Sequence, residues 1–180
     1  IMGSSYIKIV GNTDNPRIGL LNIGSEENKG NNLTLDSYPL LKENFSNFIG
    51  NIESRYILED KADVVLCDGF TGNVALKLIE GLLSHVHNWI REDARIQSSQ
   101  ESLDIIKGVF DNYDYEEHGA SPFLGVKGIV LKCHGACSEI SIANAINSAK
   151  ILSEKDMISN IEKDLKEKFE IFEKIDSAVK

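Results

Sequence analysis

The chain has 180 residues, 42% of them hydrophobic, and a formal net charge of −9. That is enough apolar material for about one domain with its own core, and the acidic balance excludes a general nucleic-acid binder. No run approaches the ~18 apolar residues of a membrane span. The opening IMGSSYIKIV lacks the features of a signal peptide, although Ile1 is not an ordinary translation start. Three scattered cysteines do not make a disulfide framework, so the expected setting is the reducing interior of a cell, without a metal or cofactor.

In chain order, PRIGLLNI (16–23) is an apolar run of strand length, closed by the glycine and acids of GSEENKGNN. LTLDSYPLLKENF (33–45) reads as a helix with Pro39 locally against it. FIGNI is a short strand and ESRYILED a short helical turn. DVVLCD (63–68) shows no polar alternation, which predicts a strand buried on both faces. Beyond it, Ala75, Ile79, Leu82, Leu83, Val86 and Ile90 form one amphipathic helical stripe. SLDIIKGVF places Leu103, Ile106, Val109 and Phe110 on one helical face. GIVLKCHG (128–135) predicts another strand, followed by a helix over SEISIANAINSAKIL with Ser138 as N-cap. A last amphipathic helix carries Ile158, Ile161, Leu165, Phe169, Phe172, Ile175 and Val179, a stripe suited to docking on its own domain. Strands alternating with helices predict an α/β fold with a mostly parallel sheet.

Ligands of such sheets bind at the carboxyl ends of the strands. Three turns compete there: NIGSEENKG, CDGFTGN and CHGACSE. None is a dinucleotide fingerprint or a P-loop. DGFTGN (68–73) suits a small anion, because Gly69 and Gly72 permit close approach and Thr71 can cap a helix whose start is electropositive. Asn73 adds a donor, and Lys77 can add charge by folding back. An ordinary βα turn with a surface lysine fits the same spacing. His134 falls at the sheet's carboxyl edge, where catalytic and structural roles are both open. Cys133, His134 and Cys137 are too few for a structural zinc site, and Glu26 and Glu27 read as a solvated acidic loop.

NPRIGLLNIGSEENKGN, ADVVLCDGFTGNVALK and FLGVKGIVLKCHG together resemble three consecutive signatures of the bacterial phosphate acyltransferase (PlsX) family, in order and correctly spaced, over about residues 2–150. The resemblance implies a three-layer, Rossmann-like fold similar to phosphotransacetylase and isopropylmalate dehydrogenase. Residues 1–180 would then be the C-terminal part of one domain, with a helical protrusion at about 84–118. The implied reaction moves a fatty acyl group from acyl carrier protein to inorganic phosphate, and the acyl phosphate feeds a glycerol-3-phosphate acyltransferase in phospholipid synthesis. On this reading Asn73, Lys77 and His134 are catalytic, while Asp68, Gly69, Thr71, Gly72 and Lys127 bind phosphate or substrate. Lys132 is a weaker electrostatic candidate.

The resemblance also implies a homodimer in the cytoplasm. Leu103, Ile106, Val109 and Phe110 would then contact either a second subunit or the inner face of the plasma membrane. Membrane contact would have to be weak and mainly apolar, since Arg91, Arg95 and Lys107 are outnumbered by Glu92, Asp93, Glu101 and Asp104. The sequence departs from the family pattern at Ala136 and Cys137, which stand where relatives carry hydroxyls, and at Ile129, where they carry proline. Short-chain acyl-CoA transfer to phosphate and a non-catalytic scaffold for carrier protein or lipid are the alternative readings.

Overall fold

A computed structural model describes residues 1–11, 13–93, 99–111, 120–135 and 137–179; at 105–107, 109–111 and 170–179 only the backbone is described. Its elements are α1 (Met2–Gly11), β1 (Ile18–Asn22), α2 (Asn32–Asn44), β2 (Phe48–Glu53), a 3₁₀ turn (Ser54–Tyr56) and β3 (Val64–Leu66). They are followed by α3 (Gly69–Glu92), α4 (Gln100–Asp111), β4 (Ser121–Pro122), β5 (Leu131–Lys132), α5 (Glu139–Glu154) and α6 (Met157–Val179).

The chain divides into two compact units. One comprises Ile1–Cys67, Pro122–Val130 and Ala149–Lys180; the other comprises Asp68–Ser121 and Leu131–Ser148. The first unit holds a three-stranded parallel sheet in the order β2-β1-β3. Leu20 pairs with Asn51 of β2 on one side and with Leu66 of β3 on the other. Every residue of the central strand β1 is buried, as its uninterrupted apolar run requires. The 63–68 segment was expected to be buried on both faces, but Val64, Val65 and Leu66 are half-buried because β3 lies at the edge. Helix α2 packs on β1 and β2, α1 packs on β3, and α6 docks on α1. Met157, Ile161 and Leu152 are buried in this unit, whereas Phe169, assigned to the docked stripe, is exposed. The Phe172, Ile175 and Val179 side chains lie outside the described residues.

Pro39 does not end α2. It removes one backbone donor, yet the ends hold: Asn31 Oδ1 accepts the Thr34 N–H at 3.0 Å, and the Phe45 N–H reaches Leu41 O at 3.0 Å. The strand expected over 128–135 shrinks to Leu131–Lys132. Its partner β4 is equally short and ends at Pro122, which has no N–H for a ladder. Helix α5 begins where expected, with Ser138 Oγ accepting the Ser141 N–H at 3.3 Å.

The start of β3 is clamped to the start of β1. Arg17 Nε and Nη2 fork onto the two oxygens of Asp63 at 3.0 and 2.9 Å, while the Arg17 N–H donates to the same carboxylate at 2.6 Å. The Asp63 and Val64 N–H groups return bonds to Arg17 O. Hydrogen bonds from the Arg17 side chain, then from its backbone, hold the Asp63 carboxyl below its ordinary value. Because folded Asp63 binds its proton less readily than unfolded Asp63, the clamp stabilises above the ordinary carboxylate range and is lost as pH falls through the folded value. Asp63→Asn should therefore lower the Tm at neutral pH and flatten the acid limb of stability, as read by thermal unfolding across pH.

The loop after β1 rests on buried amides. Asn22 Nδ2 donates to Lys29 O at 2.9 Å and Asn51 Nδ2 to Glu26 O at 2.8 Å. Gly30 closes it at φ 104°, where a Cβ would lie 2.1 Å from Thr34 Oγ1 and 2.5 Å from Asn22 Oδ1. Gly30→Ala meets both strain and collision, and a loss of about 1–3 kcal/mol is expected in denaturant unfolding.

Candidate active site at the start of the long helix

Strand β3 leaves Cys67 exposed and passes directly into α3. Asp68 is the N-cap, with extended backbone at φ −71° and ψ 157°. Its Oδ1 accepts the N–H groups of Phe70 and Thr71, each at 3.0 Å, and its backbone carbonyl accepts the Gly72 N–H at 2.9 Å. The Thr71 hydroxyl first, then the backbone N–H groups, keep the Asp68 carboxyl below its ordinary value.

DGFTGN is thus not a loop but a cap and the first turn of a helix. Thr71 was expected to cap; it is instead the third helical residue, and the cap is Asp68. The physical reason is reach: an aspartate at the N-cap meets the second and third helical N–H groups, which is the preferred geometry. The Phe70 and Thr71 N–H groups at this helix start are consequently spent on a resident carboxylate. What projects from this turn is side chain. Asn73 is exposed, and a Cβ added at Gly69 would meet nothing within 4 Å.

Lys77 does not fold back toward the helix start; its Nζ pairs with Glu80 Oε2 at 2.6 Å, one turn onward. His134 is half-buried, and its carbonyl accepts the Cys137 N–H at 3.2 Å in the turn leading to α5. Asp68, Gly69, Thr71, Gly72, Asn73, Lys77 and His134 belong to one compact unit, and exposed Lys127 to the other. Leu103 is half-buried on α4; the side chains of Ile106, Val109 and Phe110 lie outside the described residues. Among the described residues, no group of three or more His, Cys, Asp and Glu could hold a metal ion, and no helix is long and apolar enough to cross a membrane.

The expected stripe of α3 is half-buried at Ala75, Ile79, Leu83, Val86 and Ile90, but Leu82 is exposed. Leu82 belongs to a second apolar face with Phe70, Val74, Leu78 and Trp89, all exposed. Counting onward in fours from Phe70 finds it in the sequence; starting the count at Ala75 hides it.

A parallel sheet whose edge strand runs straight into a carboxylate-capped helix defines an α/β protein of the Rossmann-like class. Residues 1–160 match the family described as "Fatty acid synthesis protein", and the chain belongs to that family. It is 41% identical over 174 residues to a phosphate acyltransferase of Clostridium botulinum (strain Alaska E43 / Type E3), covering 93% of this chain and 52% of that protein. It is 42% identical over 170 residues to a phosphate acyltransferase of Thermoanaerobacterium thermosaccharolyticum, covering 92% and 51%. A phosphate acyltransferase of Clostridium acetobutylicum is 41% identical over 174 residues, covering 93% and 52%. The chain therefore spans about half the length of the curated relatives it matches.

The cap supplies a direct test of this geometry. Asp68→Ala should lower the Tm by several degrees and reduce helicity, because an alanine N-cap satisfies no N–H. Asp68→Asn should keep the cap near neutral pH and remove its pH dependence, since an amide accepts the same bonds without titrating. Circular dichroism melts at neutral and acid pH read both.

Proposed function

We propose that this chain forms part of an enzyme that transfers a fatty acyl group from acyl carrier protein to inorganic phosphate, releasing acyl phosphate for phospholipid synthesis. The observation that carries the reading is the similarity, along nearly the whole chain, to proteins named phosphate acyltransferase, together with a polar first turn of α3 at the carboxyl end of β3.

The chemistry needs no acyl-enzyme. A phosphate oxygen attacks the thioester carbonyl, the new C–O bond forms, the C–S bond breaks, and a proton reaches the departing sulfur. The protein must position two reactants and stabilise charge. Since Asp68 occupies the Phe70 and Thr71 N–H groups, phosphate is held beside the helix start by side-chain donors, with Asn73 foremost. A dianion seated on the helix axis would meet the Asp68 carboxylate. Lys77 lies one turn beyond Asn73 and would have to leave Glu80 to contribute. We assign His134 proton transfer to sulfur and Lys127 substrate binding; the family resemblance supports the positions, and the roles are our inference from the chemistry. The same resemblance supports a homodimer, delivery of product to a glycerol-3-phosphate acyltransferase, and weak contact with the cytoplasmic membrane face through the α4 region.

In the native polypeptide, phosphate-dependent release of carrier thiol from acyl carrier protein should far exceed release from acetyl-CoA. Asn73→Ala should cost about 1.5–3 kcal/mol of transition-state stabilisation, mainly through the phosphate KM. His134→Gln should lower kcat roughly 10²-fold. Absence of phosphate-dependent thiol release would overturn the reading, and wild-type kinetics in folded Asn73→Ala would remove the phosphate site from this turn.

A further inference from the structure

We propose that Cys133 and Cys137 are a reversible thiol–disulfide pair whose oxidation changes the setting of His134 between them. The effect on activity rests on the acyl-transfer reading above; the disulfide itself does not.

Both cysteines are free and half-buried, and both lie in the same compact unit. Cys133 directly follows β5, and Cys137 directly precedes Ser138, the N-cap of α5. Between them the Cys137 N–H donates to His134 O at 3.2 Å. A backbone bond of that span holds Cα atoms three residues apart to within about 7 Å, and Cys133 stands one residue outside it. A disulfide needs its Cα atoms about 4.4–6.8 Å apart, so the bridge asks for adjustment within this turn alone. Gly135 is exposed, and a Cβ added there would meet nothing within 4 Å, so the turn has room on that side. Cys133, His134 and Cys137 put three ligand-type side chains into five positions. Among the described residues, however, no three His, Cys, Asp or Glu are placed to hold a metal ion. What the two thiols share is redox chemistry.

The oxidant is a small disulfide such as glutathione disulfide. One cysteine attacks it as the thiolate, a mixed disulfide forms, and one glutathione leaves. The second cysteine attacks the mixed disulfide, its S–S bond breaks, and the second glutathione leaves. Two protein thiols are oxidised, one glutathione disulfide is reduced to two thiols, and the two protons pass to the departing sulfurs. A ring enclosing only three residues closes with strain, and strained disulfides are the easily reduced, regulatory kind. In a reducing setting such a bond is transient and reports oxidation. His134 lies inside the ring, so the bridge re-sets its backbone, and a displacement of about 1 Å in a reacting group can cost on the order of 10²-fold in rate.

The test equilibrates the native polypeptide in glutathione buffers of rising disulfide fraction, quenches with N-ethylmaleimide and maps peptides by mass spectrometry. The expected species is a peptide in which Cys133 and Cys137 together have lost two hydrogens and take no label, with both thiols restored by dithiothreitol. Cys133→Ser and Cys137→Ser should each abolish it. After desalting, phosphate-dependent thiol release should be lower by roughly tenfold or more in the bridged protein, recover with dithiothreitol, and stay constant in the Cys133→Ser/Cys137→Ser double variant. The Cε1–H signal of His134 in ¹H–¹³C NMR reads the coupling without turnover, moving on oxidation in the wild type and not in the double variant. Two labelled thiols at the most oxidising ratio, retained glutathione in place of a bridge, or a bridge to Cys67 overturns the pair. A bridge that leaves both the His134 signal and activity unmoved overturns the coupling. A bridge that moves the His134 signal in a protein with no acyl transfer even when reduced supports the proposal and sinks the reaction reading alone.

Discussion

The bond network of one carboxylate governs the start of the long helix α3. Asp68 follows β3 by two residues and caps α3, so the first turn of the helix is fixed through a single side chain. A helix start is ordinarily a ready anion site because its N–H groups lack partners and its dipole is positive there. Asp68 takes two of those N–H groups through its side chain, and its carbonyl takes the next. The positive end of α3 is partly neutralised from within. On the proposed function, an incoming phosphate would meet the side chains of the first turn, Asn73 among them, rather than the backbone N–H groups that Asp68 holds.

β1 is buried along its whole length and carries both neighbours in parallel. The Arg17–Asp63 fork fixes the beginning of β3, and the short edge strand then delivers Asp68 only two residues after it ends. On the other side, Asn22 and Asn51 tie down the loop that leads into α2. The side chains of Arg17 and Asp63 join the starts of β1 and β3, and those of Asn22 and Asn51 hold the loop after β1.

Much of this was legible in the residues. The apolar run of β1, the glycine-closed loop after it, the short β2 and the Ser138 cap follow directly from pattern and turn chemistry. Pro39 argued against α2 on local grounds, but capping bonds and packing on the sheet outweigh one missing donor. Three features were hidden for physical reasons. Whether an apolar strand is central or at an edge depends on sheet order, which no local pattern encodes, so Val64–Leu66 read as more buried than they are. Asp68 and Thr71 both suit capping, and only the backbone angles decide between them. Lys77 had two oppositely placed partners within reach, and the carboxylate of Glu80 is nearer in helical geometry than the helix start.

The most direct test follows backbone and side-chain amides by ¹⁵N–¹H NMR as inorganic phosphate is added to the native polypeptide. A phosphate held beside the helix start should shift the Asn73 side-chain amide saturably, while the Phe70 and Thr71 backbone amides stay near their positions because Asp68 retains them. Saturable shifts of Phe70 and Thr71 with a silent Asn73 side chain would mean that phosphate displaces the Asp68 cap, and would contradict this account.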